Sequence, residues 1–549
     1  MNVVAKFLAF FFLVCSGAIC YNYTESVTAV DVLVKTLAQL PIFVLVSVCY
    51  AVLWDFLPRR WRWTSVMMTG VLGLYAFVTL AECYLCVFMK TGITPSILAF
   101  LFQTNVGESQ GFIQAFVVNK GFFLFVGVLL MVMVAVWCVI LFLPFRGGVR
   151  KLFGYLAAAC VAYCLFYFLY FMNPLEPCTS VSRAAAAMVQ YRRIVKDDVR
   201  VCFDTGITDD EIESPIVVLV VGEAFSKHHS SLYGYEKVTN PCLMELVRSG
   251  NLYPFYDVIS PFNKTHQMLR ELLSVHSVDA PMPWKAYPLW PQIFKEAGYY
   301  VSFVSNQVPS SDFASVHEEQ DKARKYSFFF LYPEVEDKCF DYRNAMVYRY
   351  DEGLFQELDV IDTLGQNWPE LTIVHLNGQH IYSANNFPHE RFSRFGMADY
   401  TFTDLDLDAR QLQEVADYDN ATLYNDWVVS TIMERYRDKE AVVVYLSDHG
   451  EEVHDYRPFL GRTHKRFPTR QELKYQYEIP FMVYMSDAYK EKHPVVVRRV
   501  ESAVYHRFMS DDLPHMLLGL SGIRTMWYEP QRDLLNPDFN LERERIFGY

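Results

Sequence analysis

A membrane-spanning helical half followed by a doubly wound α/β domain is the fold this sequence predicts. Three observations carry the prediction. Long apolar runs crowd the first 172 residues, and strand–helix alternation with regular turn residues begins near residue 214. Two Val-rich runs in the later part also end abruptly in metal-ligating residue types. The averages of 52% hydrophobic and 20% charged residues over 549 positions therefore conceal two unlike parts. A net charge of −13, with no basic patch and no zinc-finger spacing, excludes nucleic acid as a partner.

In chain order, apolar runs at roughly 6–21, 33–54, 65–88, 121–144 and 153–172 predict five spans. Each approaches the ~20 residues that cross a hydrocarbon core. The first is short enough for a signal peptide, but Cys15-Ser-Gly-Ala-Ile-Cys20 is a poor cleavage site and four spans follow. It reads as a retained helix. Arg59, Arg60 and Arg62 lie between spans two and three, and Arg146, Arg150 and Lys151 between four and five. The loop at 22–32 has no Lys or Arg, and the 89–120 loop has only Lys90 and Lys120. The positive-inside rule places the arginine loops in the cytoplasm, so five crossings leave the chain after residue 172 outside. The predicted organisation is a transmembrane domain over 1–173, a linker over 174–212 and an extracytoplasmic catalytic domain over 213–549. Within the linker, Ser182–Arg193 has helix-forming composition with basic ends, and reads as a helix on the membrane surface or a plain connecting helix.

Eight of the twelve cysteines fall in or beside the spans. Cys178, Cys202, Cys242 and Cys339 belong to the exported part, where one or two disulfides are compatible with an oxidising compartment; Cys178–Cys202 closes the shorter loop.

The exported domain begins with Pro215-Ile-Val-Val-Leu-Val-Val-Gly222, which leads straight into Glu223. Ala441-Val-Val-Val-Tyr-Leu-Ser-Asp-His-Gly450 repeats the pattern and ends in Asp448 and His449. Such runs read as strands buried on both faces of a parallel sheet, whose carboxyl ends are where open α/β sheets bind ligands. Two strands delivering carboxylate and imidazole to one sheet edge point to a metal site. Tyr256-Asp-Val-Ile-Ser-Pro261 reads as a short strand before helical sequence. Thr265 then falls at or near a helix N-terminus, as an N-cap or, opposite a metal, as a hydroxyl nucleophile facing an anion. A third cluster, Val374-His-Leu-Asn-Gly-Gln-His380, follows the strand Leu371-Thr-Ile-Val374, with His375 structural and His380 better placed to reach a site. Downstream, His454 and His464 flank a basic loop.

Taken together, these segments resemble the bacterial phosphoethanolamine transferases of the alkaline phosphatase/sulfatase-like superfamily, a group that includes lipid A modifying and mobile colistin-resistance enzymes. The resemblance rests on Gly222-Glu-Ala-Phe-Ser-Lys-His-His-Ser-Ser-Leu-Tyr-Gly-Tyr235 and the threonine after a short strand. It extends to the Asn-Gly-Gln-His loop, Tyr418-Asp-Asn420 with Asp426, Ser447-Asp-His-Gly-Glu451, and the five-span anchor. It implies an α/β sulfatase/alkaline phosphatase-like domain in the periplasm, on a multi-pass anchor in the inner membrane.

The resemblance further implies Glu223, Thr265, Asp448 and His449 as ligands of a catalytic zinc, with Thr265 also the nucleophile. His380 and His464 match two histidines that hold the substrate phosphate or a second zinc. Thr104 and Glu108 match a pair recognising the ethanolamine head group, and Asn306 matches a recurrent segment assigned here to substrate binding. Three positions depart from the pattern: Ala224 stands for a serine, Lys227 for an arginine, and Phe100 for an asparagine before Thr104. His464 is preferred to His454 as the downstream histidine because it follows a glycine-containing loop. The implied reaction moves phosphoethanolamine from phosphatidylethanolamine onto Thr265, then onto a sugar hydroxyl or phosphate of lipid A, the lipopolysaccharide core or another glycan. A phosphoglycerol transferase of the lipoteichoic acid synthase type is the alternative enzyme, and an inactive membrane scaffold the alternative outside catalysis. A true sulfatase needs Cys/Ser-x-Pro-x-Arg, whereas Thr265 is followed by His-Gln-Met-Leu-Arg.

Overall fold

The computed structural model describes residues 3–24, 29–56, 62–86, 93, 180–181, 184–185, 188–189, 202–209, 213, 215–307, 333–365, 368–380, 382–400, 405–463 and 468–547. The chain divides into two compact units, Met1–Asp197 with Thr463–Phe467, and Asp198–Arg462 with Pro468–Tyr549.

In the first unit, three helices fall on the first three expected spans: α1 (Val3–Thr24), α2 (Ala29–Phe56) and α3 (Arg62–Tyr84). Their sequences are apolar around most of the circumference, as suits a helix surrounded by lipid or other helices. Val66–Tyr84 is long and apolar enough by itself to cross a membrane. Polar groups join the helices sparingly. Asn22 Nδ2 donates from α1 to Thr36 Oγ1 (3.1 Å) and Gln39 Oε1 (3.0 Å) of α2. Tyr50 OH donates to Met68 O of α3 at 3.0 Å while its ring stacks on Phe10. The expected spans at 121–144 and 153–172, with Thr104 and Glu108, lie outside the described residues. Within the expected linker, 180–181 are helical, and of its expected helix from 182 to 193 the described residues 184–185 and 188–189 are helical.

The second unit is built on seven strands, β1 (Ile216–Gly222), β2 (Leu252–Phe255), β3 (Tyr300–Ser305), β4 (Tyr342–Arg343), β5 (Glu370–His375), β6 (Ala441–Ser447) and β7 (Phe481–Met485). Their spatial order is β2-β7-β6-β1-β5-β3-β4. Strands β6, β1, β5, β3 and β4 run parallel, while β7 pairs antiparallel with both β6 and β2. The unbroken apolar runs have their cause in this placement, because the central strands carry helices on both faces. On one face, Val217, Leu219, Val442 and Val444 pack with Met268 and Leu272 of α4 (Thr265–Leu272) and with Trp290 and Ile293. On the other, Val218, Val220, Val443 and Tyr445 pack with Leu354 and Leu358 of α5 (Leu354–Leu364) and with Tyr424, Val428 and Ile432 of α6 (Ala409–Arg435). The sheet is doubly wound, as predicted. Helix α6 starts on a capping box, in which Asp408 accepts from the Gln411 N–H and Gln411 answers to the Asp408 N–H.

Two local expectations need correction. The strand expected over 256–261 is only Val258–Ile259, because Tyr256 and Asp257 bend the chain before it. Of the exported cysteines, Cys202, Cys242 and Cys339 are unbridged, and Cys178 lies outside the described residues.

Candidate metal centre and active site

The register between β1 and β6 places the chemistry. Gly222 pairs with Ser447, so the next residues along the two parallel strands, Glu223 and Asp448, leave the sheet side by side. His449 follows Asp448, and all three side chains are fully buried. One ligand atom from each lies within 4.8 Å of the others, the one cluster of this kind among the described residues. His449 Nε2 stands 3.1 Å from Asp448 Oδ2 and 3.4 Å from Glu223 Oε1.

The turn after β1 is held in an unusual conformation. Ala224 has φ +55°, in the left-handed region that costs a residue with a Cβ roughly 1 kcal/mol or more. Four hydrogen bonds fix it. The Ala224 N–H donates to Asp448 Oδ1 (3.0 Å) and the Phe225 N–H to Ser447 Oγ (2.9 Å). Tyr418, reaching over from α6, donates its hydroxyl to Ala224 O (2.5 Å) and accepts the Ser226 N–H (2.7 Å). Gly378 closes the other side. It has φ +49°, and a Cβ there would lie 2.8 Å from Glu223 O and 2.9 Å from Glu223 N. No side chain fits.

Thr265 completes the group. It is the first residue of α4, not its cap, since Lys264 occupies the cap position without a side-chain bond. The Thr265 hydroxyl donates to Glu223 Oε2 at 3.0 Å and lies 3.2 Å from His449 Nε2. Glu223 and His449, 226 positions apart in the chain, thus meet with Thr265 at one sheet edge.

The residues fit a divalent cation. Asp448 Oδ1 is occupied by the N–H groups of Ala224 and His449, leaving buried Oδ2 without a hydrogen bond. Glu223 Oε2 receives Thr265 and Gln307, leaving buried Oε1 without one. His449 Nδ1 faces Gly450 O at 3.0 Å, which fixes the tautomer with Nε2 turned to the carboxylates. Burial, and then Arg462, push the His449 pKa down to about 4, so the ring is neutral near pH 7, the form in which an imidazole can bind a cation. Burial opposes ionisation of Glu223, but His449, His380 and Arg462 outweigh it and hold the carboxyl well below its usual range. Burial and the Glu223 charge drive Asp448 the other way, well above it. Two buried acids split in this way call for positive charge between them. Arg462 already supplies some, donating to His449 Nε2 and to Asn263 O (3.2 Å) and pairing with Glu451 at 2.9 Å.

Other expected residues separate into roles. His380 lies near enough to Glu223 to lower its pKa. His375 is structural as expected, buried with Nδ1 3.1 Å from Ser305 Oγ. His454 faces Glu414 at 2.9 Å, while His464 lies outside the described residues. Asn306, expected at the substrate, is committed inside the fold. Its amide donates to Asp351 Oδ1 (2.8 Å) and accepts the Tyr348 N–H (2.7 Å). Its neighbour Gln307, which sequence reasoning passed over, reaches the site instead, donating to Glu223 Oε2 (2.7 Å) and Leu376 O (3.2 Å). A hydrogen bond to a charged partner is worth about 1.5–3 kcal/mol. Gln307→Leu is therefore expected to lower turnover roughly 10- to 100-fold with the protein still folded, read by steady-state kinetics beside a melting curve.

The remaining polar motif residues hold the scaffold. Asp426 accepts the N–H groups of Cys242 and Leu243 at a helix start, and Asn420 accepts those of Arg394 and Phe395. Asp419 accepts from Tyr235 and Tyr400 and pairs with buried His229 at 2.7 Å. Burial disfavours charge on His229, but Asp419 and Asp455 overcome it and raise its pKa to about 10. A raised histidine stabilises the fold fully below its unfolded pKa of about 6.5, and that contribution disappears as pH climbs through about 10. The melting temperature is expected to fall steadily between pH ~7 and ~10, and His229→Gln to flatten that slope from a lower starting point.

With fold and site in place, the class is defined: residues 215–523 match the sulfatase family model, and the chain belongs to that family. More particularly, it is 29% identical over 345 residues to the phosphoethanolamine transferase EptC of Escherichia coli K12, covering 61% of this chain and 56% of that one. It is 27% identical over 297 residues to the phosphoethanolamine transferase EptA of Helicobacter pylori, covering 53% and 52%. The chain thus spans about half the length of these curated relatives. Among solved structures, the periplasmic domain of Escherichia coli EptC in complex with Zn aligns with TM-score 0.52 at 27% identity, over 63% of this chain and 92% of that one. The integral membrane lipooligosaccharide phosphoethanolamine transferase A of Neisseria meningitidis shares the fold over 96% and 97% of the two chains, with TM-score 0.62 at 17% identity.

Proposed function

We propose that this protein is a membrane-anchored phosphoethanolamine transferase. It takes phosphoethanolamine from phosphatidylethanolamine and delivers it to lipid A or the lipopolysaccharide core on the periplasmic face of the inner membrane. One observation carries the reading: the Thr265 hydroxyl sits within 3.2 Å of both Glu223 and His449, at the start of a helix and inside a buried ligand cluster. The relatives named phosphoethanolamine transferase support the substrate class.

Glu223, Asp448, His449 and Thr265 would hold a zinc ion, which when bound supplies the positive charge that polarises the hydroxyl and the phosphoryl oxygens. Thr265 attacks phosphorus and gives its proton to Glu223 Oε2, to which its hydroxyl donates. The Thr265 O–P bond forms, the P–O bond to diacylglycerol breaks, and diacylglycerol leaves as the alcohol after protonation by His380. The acceptor oxygen then attacks the same phosphorus, a hydroxyl acceptor passing its proton to His380, and Thr265 leaves and takes its proton back from Glu223, a two-step exchange with ping-pong kinetics. Backbone N–H groups at the start of α4 and the histidines His380 and His464 hold the phosphoryl oxygens. Thr104 and Glu108 take the ethanolamine ammonium. Anchoring the site in the bilayer that holds donor and acceptor raises their effective concentration.

Mass spectrometry of glycolipids from cells with and without the full chain tests the proposal. Added phosphoethanolamine on lipid A or core species is expected. An unmodified glycolipid pool alongside expressed, metal-loaded protein overturns it.

A further inference from the structure

We infer that Arg545 and Phe547 are positioning residues, which strap in place the stretch of chain that carries Thr265 to the metal ligands. The inference rests on the reaction proposed above for that hydroxyl. Residues 543–547 take no regular secondary structure, yet their burial alternates. Arg543, Arg545 and Phe547 are half-buried, whereas Glu544 and Ile546 are exposed. A two-residue alternation is that of a chain lying with one side against the protein. Arg543 anchors the segment, pairing with the buried carboxylates of Asp511 (2.8 Å) and Asp512 (2.5 Å). Arg545 Nη2 donates to Asp257 O at 2.8 Å and to Asp257 Oδ1 at 2.5 Å. Phe547 meets the buried ring of Tyr477 edge-on, with centroids 5.2 Å apart.

Asp257 and Tyr477 bracket one short run of backbone. Val258–Ile259 pairs in parallel with Phe508–Met509. The Phe508 N–H donates to Asp257 O (3.0 Å), the Ile479 N–H to Val258 O (3.2 Å) and the Ser260 N–H to Tyr477 O (2.8 Å). Thr265 stands five residues beyond Ser260. In between, the Asn263 amide donates to Gln476 Oε1 at 3.1 Å. Gln476 O in turn accepts the N–H of Gly450, the residue after His449, at 3.1 Å. The run 257–263 and the pair Gln476–Tyr477 therefore set the 3.2 Å separation between Thr265 Oγ1 and His449 Nε2. Arg545 grips this frame through Asp257, and Phe547 grips it through Tyr477. A shift of about 1 Å in a reacting group costs on the order of 100-fold in rate. A loosened frame thus reads as lost turnover with substrate binding kept.

The test compares the purified full chain with the double variant Arg545→Ala/Phe547→Ala by amide hydrogen exchange and steady-state kinetics. Arg543 is untouched, so the anchor on Asp511 and Asp512 remains. In the variant, exchange across 258–265 is expected to quicken about ten-fold or more, while 216–222 and 441–447 stay as protected as in the parent. Turnover should fall about 10- to 100-fold with the donor KM within about two-fold. Arg545→Lys/Phe547→Tyr, which keeps one donor and one ring, should bring both readings back near the parent. Unchanged exchange over 258–265, or parent turnover in the alanine variant, overturns the inference. Exchange that quickens equally in the two central strands also overturns it, because the segment then supports only the fold as a whole. A parent that protects 258–265 yet transfers no phosphoethanolamine overturns the transferase reading, and the exchange comparison still decides the strap.

Discussion

Thr265→Ala is expected to abolish transfer, lowering turnover by about ten-thousand-fold or more, the scale on which deleting a nucleophile acts. The substitution removes one oxygen. It leaves the buried carboxylates, the imidazole and their supports in place, so the melting temperature should stay near the parent value and zinc should still bind through the three remaining ligands, though less tightly. Thr265→Ser keeps the oxygen but frees its rotamer, and a loss nearer ten-fold is expected. Donor turnover with metal analysis on the same preparations distinguishes the cases. Substantial transfer by Thr265→Ala would end the assignment of this hydroxyl as the attacking group. Loss of zinc in parallel with activity would recast Thr265 as a ligand only.

The second large effect concerns Asp448. Its carboxylate is completely buried beside the equally buried Glu223, and burial together with the Glu223 charge raises its pKa well above the ordinary range. An acid raised in this way stabilises the fold while protonated, and loses that contribution as pH rises through its folded pKa. The metal-free protein is therefore expected to melt lower at neutral pH than under mildly acidic conditions. Zinc reverses the balance. At one hundred times its dissociation constant, a ligand specific for the folded state adds about 2.7 kcal/mol. Asp448→Asn separates the two effects because an asparagine Oδ1 can still accept the N–H groups of Ala224 and His449. It removes only charge and the ligand oxygen Oδ2. The variant should melt higher than metal-free parent at neutral pH, gain no stability from zinc, and lose about a thousand-fold or more in turnover. Calorimetry with and without zinc and chelator reads all of this, and an undiminished zinc shift in Asp448→Asn would remove Asp448 from the metal site.

Much of the exported domain was legible in the sequence because its central strands are buried on both faces, and such strands print as continuous Val-rich runs. Their final residues could be read in the same way, since a strand's carboxyl end is where an α/β site is built. Pairing was not legible. Nothing in 215–222 or 441–447 says that these strands are neighbours, yet their register sets Glu223 beside Asp448. Side-chain reach was also invisible, which is why Asn306 was favoured over Gln307. Both follow the same strand, and only the fold shows that one turns to Asp351 and the other to Glu223. Arg462 escaped for a similar reason, as one cation in a loop with several others. Thr265 was placed within one residue, the usual slack at a helix boundary.

Gly378 has a consequence for how the catalytic wall behaves. Because its backbone lies flush against that of Glu223, with no room for even a methyl group, any side chain at this position would push the segment carrying His380 away from the end of β1. In the proposed transfer, the acceptor would approach on the side of the site where Thr265 and Arg462 stand.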